Sequence, residues 1–247
     1  MSEQQTMNTA RRTVGVLGGM GPEATVDFMA KVIALTDATC DQDHVRMLVD
    51  HNPHVPNRQD AILGDGEDPG PVLAAMAAGL EASGADFLVM PCNTAYAFED
   101  AILAATHIPL ISIVGVSIAA AQERAPGVNR IGLLVTDGCL KSGIYQSGLE
   151  AAGLEAELPA VDELGKLMTL IRSIKGGKRT EDTARGMAAL ADALVSRGTG
   201  AIIAACTEIP LVLDQDAVSV PLISSTDALA EITVKLATGE IPLPDCL

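Results

Sequence analysis

Short apolar runs alternate with segments at helical spacing along most of the chain. Val14–Leu17 is apolar throughout and runs into a glycine-rich turn, GGMGPEAT, that begins at Gly18. Asp27–Thr36 follows at helical spacing. Val45–Val49 is the next apolar run, closed by DHNPHVPNR. Pro71–Ser83 is alanine-rich and helical, Gly84 stops it, and Phe87–Met90 reads as a strand. Ala97–Ala105 reads as a helix and Leu110–Val114 as a further strand. Runs apolar at successive positions suit strands covered on both faces. Their alternation with helices predicts an α/β fold with a doubly wound parallel sheet.

The pattern then restarts. NRIGLLV at Asn129–Val135 matches RTVGVLG at Arg12–Gly18. GAIIAACT at Gly200–Thr207 matches ADFLVMPCNT at Ala85–Thr94, and VPLISS at Val220–Ser225 matches IPLISI at Ile108–Ile113. The three matches keep one order and nearly one offset, which predicts a duplicated unit. Two similar Rossmann-like (flavodoxin-like) domains with parallel sheets follow, related by a pseudo-twofold. The final helix, within Val220–Ala237, is expected to pack on the first half. The expected division is therefore residues 12–116 plus 226–247 for the first domain and 117–225 for the second. The polar residues 1–11 form an expected disordered tail.

Composition narrows the function. Aromatic residues are 2% and Trp is absent, so the core is built of Ala, Leu, Ile and Val. The formal net charge of −16 repels phosphate backbones and argues against nucleic-acid binding. It leaves room for an anionic ligand, because a local pair of cations outweighs a distant screened field. No apolar run is long enough to span a membrane, and the N-terminus lacks the apolar centre of a signal peptide. Five scattered cysteines make no disulfide framework, which fits a reducing, cytoplasmic setting. No CxxC or HExxH spacing occurs, so no metal is expected. GGMGP is not GxGxxG, and no acidic residue follows at the required distance, so a dinucleotide site is not expected either.

The chemistry is concentrated at two cysteines. Each half carries one, Cys92 and Cys206, at the C-terminal end of its corresponding strand. Ligands bind at that edge of an open α/β sheet. Two facing halves bring the thiols to opposite sides of one cleft. One thiolate removes a proton from a carbon while a thiol opposite returns one to the other face, which inverts a stereocentre without a cofactor. Asn93, Thr94 and Thr207 beside the thiols suit a carboxylate or an ammonium. Gly19 and Met20 are expected to line the cleft through their backbone.

GGMGPEAT, PCNTAYAF and ACTEIP together resemble the aspartate/glutamate racemase family, close to its aspartate racemase branch. The resemblance runs from about Val14 to about Leu236. It implies independence from pyridoxal phosphate or any other cofactor, Cys92 and Cys206 as the two acid/base residues, and a homodimer. VPNR ends in Arg58, matching the arginine of the family's hydrophobic-x-Pro-x-Arg segment. IRSIKGG holds Lys175, matching a lysine in a second-half helix. In the aspartate branch these two cations are associated with the side-chain carboxylate, and an arginine grips a carboxylate through two N–H bonds. Without the resemblance both read as solvated residues. One departure stands out: the family's first motif usually reads Cys-Asn-Thr-Ala-His, and here the last position is Tyr96, which lacks a titrating imidazole.

Other residues keep two readings. Glu208 either assists Cys206 or caps a helix start. Cys40, Cys139 and Cys246 read as bystander thiols. His51 and His54 read as solvated loop residues. Gly176–Gly177 is expected to end the helix of Lys175. The expected activity is racemisation of an acidic amino acid, aspartate ahead of glutamate. The alternatives are another amino-acid racemase, a maleate isomerase-like enzyme of the same scaffold, or a non-catalytic small-molecule binding protein with a redox-sensitive cysteine pair.

Overall fold

The computed structural model describes residues 11–244. Most of the expected tail, and Cys246, lie outside the described residues. Arg11 lies within them, and its guanidinium donates to the Gln42 carbonyl at 2.5 Å.

The first half runs β1 (Val14–Gly18), α1 (Pro22–Leu35), β2 (Met47–His51), α2 (Arg58–Leu63), α3 (Gly70–Ala82), β3 (Phe87–Val89), α4 (Glu99–Leu103) and α5 (Ile113–Arg124). The second runs β4 (Arg130–Val135), α6 (Asp137–Ser142), α7 (Ile144–Ala151), β5 (Glu155–Glu157), α8 (Val161–Lys175), α9 (Glu181–Ser196), β6 (Ala201–Ala205), β7 (Leu222–Ser224) and α10 (Ser225–Thr238). The strands form two parallel sheets, ordered β2-β1-β3 and β5-β4-β6-β7.

The repeat seen in the sequence is also a repeat of register. Val14 pairs with Phe87, and Ile131 pairs with Ala201, residues 117 and 114 positions further on. Leu88 pairs with Leu110, and Ile202 with Leu222, residues 114 and 112 positions further on.

The expected strand Leu110–Val114 needs correction. Only Leu110 makes a ladder contact, and from Ile113 the chain is α5. Ser112 takes the Gly115 N–H on its side chain and starts that helix, so the extended stretch is cut short. Ser224, at the matching position, caps α10 in the same way. The expected helix Ala97–Ala105 is likewise broken into a 3-10 turn, Thr94–Phe98, and α4.

Strand alternation divides the core. Ile131, Leu133 and Val135 of β4 and Ala201, Ile203 and Ala205 of β6 face one large cluster that includes Val14, Phe28, Phe87 and Leu229. Leu134, Ile202 and Ala204 face the other way, onto Leu167, Ile171, Met187 and Leu194 of α8 and α9. Helix α10 packs on α1 and α5, and α5 also meets α7, β6 and β7. The division at 116/117 falls inside α5. We keep the two-unit boundaries as a proposal. Among the described residues no helix is long and apolar enough to cross a membrane.

Candidate functional site

The C-terminal ends of β1, β3, β4 and β6 open onto one cavity of about 260 Å³. That is smaller than drug-sized sites, which run from roughly 300 Å³ upward, and suits a small metabolite. Its wall includes Met20 after β1, Cys92, Asn93 and Thr94 after β3, Thr136 and Asp137 after β4, and Cys206, Thr207 and Glu208 after β6. Arg58 reaches it from the start of α2, and Lys175 from the end of α8. Cys92 and Cys206 are each 6% exposed, so both line the cavity from buried positions.

Two expected site residues are elsewhere. Gly19 does not line the cavity. Its φ of +92° is a left-handed conformation that favours glycine, and a Cβ there would lie 2.4 Å from the Asn52 carbonyl carbon. Its N–H donates to Thr25 Oγ1 at 2.9 Å, so its part is to form the turn. Tyr96 also points away. It is buried, its hydroxyl donates to the Ile111 carbonyl at 2.5 Å, and burial keeps the phenol protonated. Here it ties the loop after β3 to the loop before α5.

Asn93 is at the wall, but its amide is largely committed. Tyr145 donates to Oδ1 at 2.6 Å, and Nδ2 donates to Ser225 Oγ at 3.0 Å. Ser225 passes its own hydrogen to the Ala204 carbonyl at 2.9 Å. This chain fixes the residue next to Cys92 through α7, α10 and β6. Thr94 and Thr136, one from each half, share a hydrogen bond of 3.0 Å. Gln59 Oε1 accepts the Gly138 N–H at 2.7 Å, a second link between the halves.

The cations differ in their freedom. One terminal nitrogen of Arg58, Nη1, donates to the carbonyls of Val55 and Pro56, 3.0 Å each, while Nε is buried with no partner. Lys175 pairs tightly with Glu208 Oε1. The other Glu208 oxygen accepts the Cys206 thiol at 3.1 Å. Glu208 stands at the cap of a 3-10 turn but makes no capping bond, so its side chain belongs to the thiol and the lysine.

The description "Asp/Glu/Hydantoin racemase" is that of a family whose profile matches residues 17–233. The chain belongs to the Asp/Glu/hydantoin racemase family. The broad-specificity amino-acid racemase RacX of Bacillus subtilis (strain 168) is 31% identical over 226 residues, 90% of this chain and 96% of that protein. The solved Picrophilus torridus aspartate racemase superposes with a TM-score of 0.78 at 28% identity, covering 94% of this chain and 96% of that one. A Francisella tularensis glutamate racemase has the same fold, with a TM-score of 0.65 at 14% identity, 95% of this chain and 86% of that one being covered. By its family the protein is an isomerase, an amino-acid racemase.

In this racemase-family site the second thiol has a distinctive environment. Burial, and then the Glu208 carboxylate, push the Cys206 thiol well above its ordinary pKa, while Lys175 works the other way. Cys206 is therefore held as a protonated thiol. Burial is the largest influence on Lys175 and opposes its charge, but Glu208, Cys206 and Cys92 together outweigh it and the ammonium is held. Among the described residues no group of three or more His, Cys, Asp or Glu could hold a metal ion.

Several wall residues were absent from the sequence reading. Arg172, Met168 and Ile171 lie on the Lys175 face of α8, at spacings of three and four residues, and that periodicity could have revealed them. Thr136 was recoverable by offset, since it is Gly19 moved by 117 positions. Tyr145, which holds Asn93 from behind the wall, had no local signal.

Proposed function

We propose that this racemase interconverts L- and D-aspartate without a cofactor, using Cys92 and Cys206 as its two acid/base groups. The observation that carries the reading is the placement of the thiols. They occupy equivalent strand ends of two halves in the same register, both on one small cavity that also holds Arg58 with an unpartnered Nε.

In one direction the Cys92 thiolate takes the α-proton and becomes a thiol. Cys206, already a hydrogen-bonded thiol, gives its proton to the opposite face and becomes a thiolate. In the other direction the roles exchange, and the apparent pKa values belong to the pair. Backbone N–H groups at the turns after β3 and β6 stabilise the carbanion. The hydroxyls of Thr94 and Thr207 and the remaining Asn93 N–H hold the α-substituents. Arg58 takes the side-chain carboxylate, with Lys175 contributing the charge that Glu208 leaves it. Met20 adds a buried apolar side chain to the wall.

A second reading is a wider substrate range. Met168 and Ile171 give the wall an apolar stretch, and RacX, the similar protein described above, is named for broad specificity.

The test is incubation of the intact chain with L-aspartate, without added cofactor, followed by chiral chromatography. D-Aspartate rising toward a 1:1 mixture supports the reading. Turnover of other amino acids alone replaces the substrate, and no turnover of any amino acid overturns the function. The proposal includes a cytoplasmic homodimer, and a monomer mass by light scattering overturns the dimer.

A further inference from the structure

Three cations line the cavity, and they are not equivalent. Lys175 is matched by Glu208, and that match is built in from three sides. One Glu208 oxygen takes the lysine, the other takes the Cys206 thiol, and Gly21 of the first half leaves room for both partners. A Cβ at Gly21 would lie 2.8 Å from Glu208 Oε1 and 3.5 Å from Lys175 Nζ. Most of the lysine charge is thus spent before a ligand arrives.

The other two cations are guanidiniums. Arg58 has its buried, unpartnered Nε. Arg172, one helical turn before Lys175, lines the cavity and is exposed at its rim. Among the described residues it has no hydrogen-bond or ion-pair partner. It continues the α8 stripe that begins with buried Met168 and Ile171. Two carboxylates, Asp60 and Asp137, complete the charged lining. With Lys175 and Glu208 set aside, the wall offers two guanidiniums and two carboxylates. An amino acid with an acidic side chain brings two carboxylates and one ammonium.

We propose that Arg172 is a specificity-determining residue that, with Arg58, receives the side-chain carboxylate of the substrate. This rests on the racemase reading above. The α-carbon has to lie between two buried thiols, so an exposed cation on the same wall meets a group away from that carbon. The guanidinium fork binds a carboxylate through two N–H bonds and has no competing partner to give up. Arg172 therefore sets the preference for acidic over neutral amino acids, while Lys175 serves Glu208 and Cys206.

The experiment uses the intact chain, its Arg172→Gln and Arg172→Lys variants, and Arg185→Gln as a control that removes an exposed charge on α9. The first readout is the ratio of kcat/KM for L-aspartate to that for L-alanine. The second is the affinity for succinate, a dicarboxylate that undergoes no racemisation, by calorimetry. Loss of a charge-assisted pair predicts that Arg172→Gln lowers the ratio ~10- to 100-fold, chiefly through KM for aspartate, and weakens succinate by a similar factor. Arg172→Lys recovers part of both, and Arg185→Gln moves neither. A ratio and a succinate affinity within twofold of the parent protein overturn the proposal. So does an equal change in Arg185→Gln, which would mark a long-range charge effect. If the parent protein racemises no amino acid, the racemase reading fails and the succinate arm alone decides whether Arg172 receives a carboxylate.

Discussion

Replacing Gly21 with alanine isolates the Lys175–Glu208 pair. The backbone there, φ −103° and ψ 162°, accepts any residue, so alanine brings no conformational strain. The new methyl carbon would lie 2.8 Å from Glu208 Oε1, where ordinary contact begins at 3.4 Å, so the carboxylate retreats by roughly 0.6 Å. Glu208 is 4% exposed and has little space to move without disturbing its 3.1 Å bond to the Cys206 sulfur. A misplacement of 1 Å at a reacting group costs on the order of 100-fold, so a loss of roughly 10-fold in kcat is expected. Stability should hardly change. Alanine restricts the unfolded chain, worth about 0.4–1 kcal/mol, and gives back a similar amount as a poorer helix cap. The melting temperature should stay within about 4 °C of the parent value. The assay pairs chiral chromatography of aspartate with thermal unfolding by circular dichroism. Glu208→Gln, alone and combined with Gly21→Ala, completes a double-mutant cycle, and the combined loss should be smaller than the product of the two. Full kcat in Gly21→Ala, or strictly multiplicative losses, would refute the coupling of this turn to the thiol through Glu208.

Three further outcomes follow from the same contacts. Glu208→Gln removes a carboxylate that, after burial, raises the Cys206 thiol, so the alkaline limb of the pH–rate profile should move to lower pH; an unmoved limb contradicts the role given to Glu208. Burial, and then the charge of Cys92, push the fully buried Cys139 thiol from 9.0 up to about 12. A raised folded-state pKa gives stability that is complete below pH 9 and lost as pH climbs toward 12, at most about 4 kcal/mol at 1.36 kcal/mol per unit. The gap between urea midpoints at pH 8 and pH 11 should narrow in Cys139→Ala without closing, because buried Cys206 and Tyr96 keep their own alkaline loss, and an unchanged gap would count against this. Tyr145→Phe leaves Asn93 Oδ1 without its 2.6 Å donor inside the core, a loss of about 1–3 kcal/mol detectable as a lower urea midpoint; a midpoint equal to the parent's would show that another donor replaces it.

Much of this architecture was legible in the sequence because the repeat is carried by local pattern. The apolar runs at Val14, Phe87, Asn129 and Gly200 became β1, β3, β4 and β6 in the same register. The misreadings have local causes. Leu110–Val114 is as apolar as a strand, but Ser112 caps a helix and ends the extension. The edge strand β5 reads EAE and carries no apolar pattern at all. At the site, the cysteines and their small neighbours were visible because strand ends are marked by sequence. The partnerships were not, since Tyr145 with Asn93, Lys175 with Glu208 and Gly21 against that pair join residues 52, 33 and 187 positions apart. The substitution at Tyr96, prominent as a departure from the family motif, falls in a buried structural bond and not on the cavity wall.

The most direct measurement follows the α-proton of L-aspartate in D₂O by NMR, with the intact protein and with Cys92→Ala and Cys206→Ala, and with no cofactor added. The account predicts deuterium at the α-carbon together with D-aspartate in the parent protein, and no racemisation in either variant. Racemisation that survives the loss of one thiol, or α-exchange that needs neither, would contradict the two-thiol mechanism.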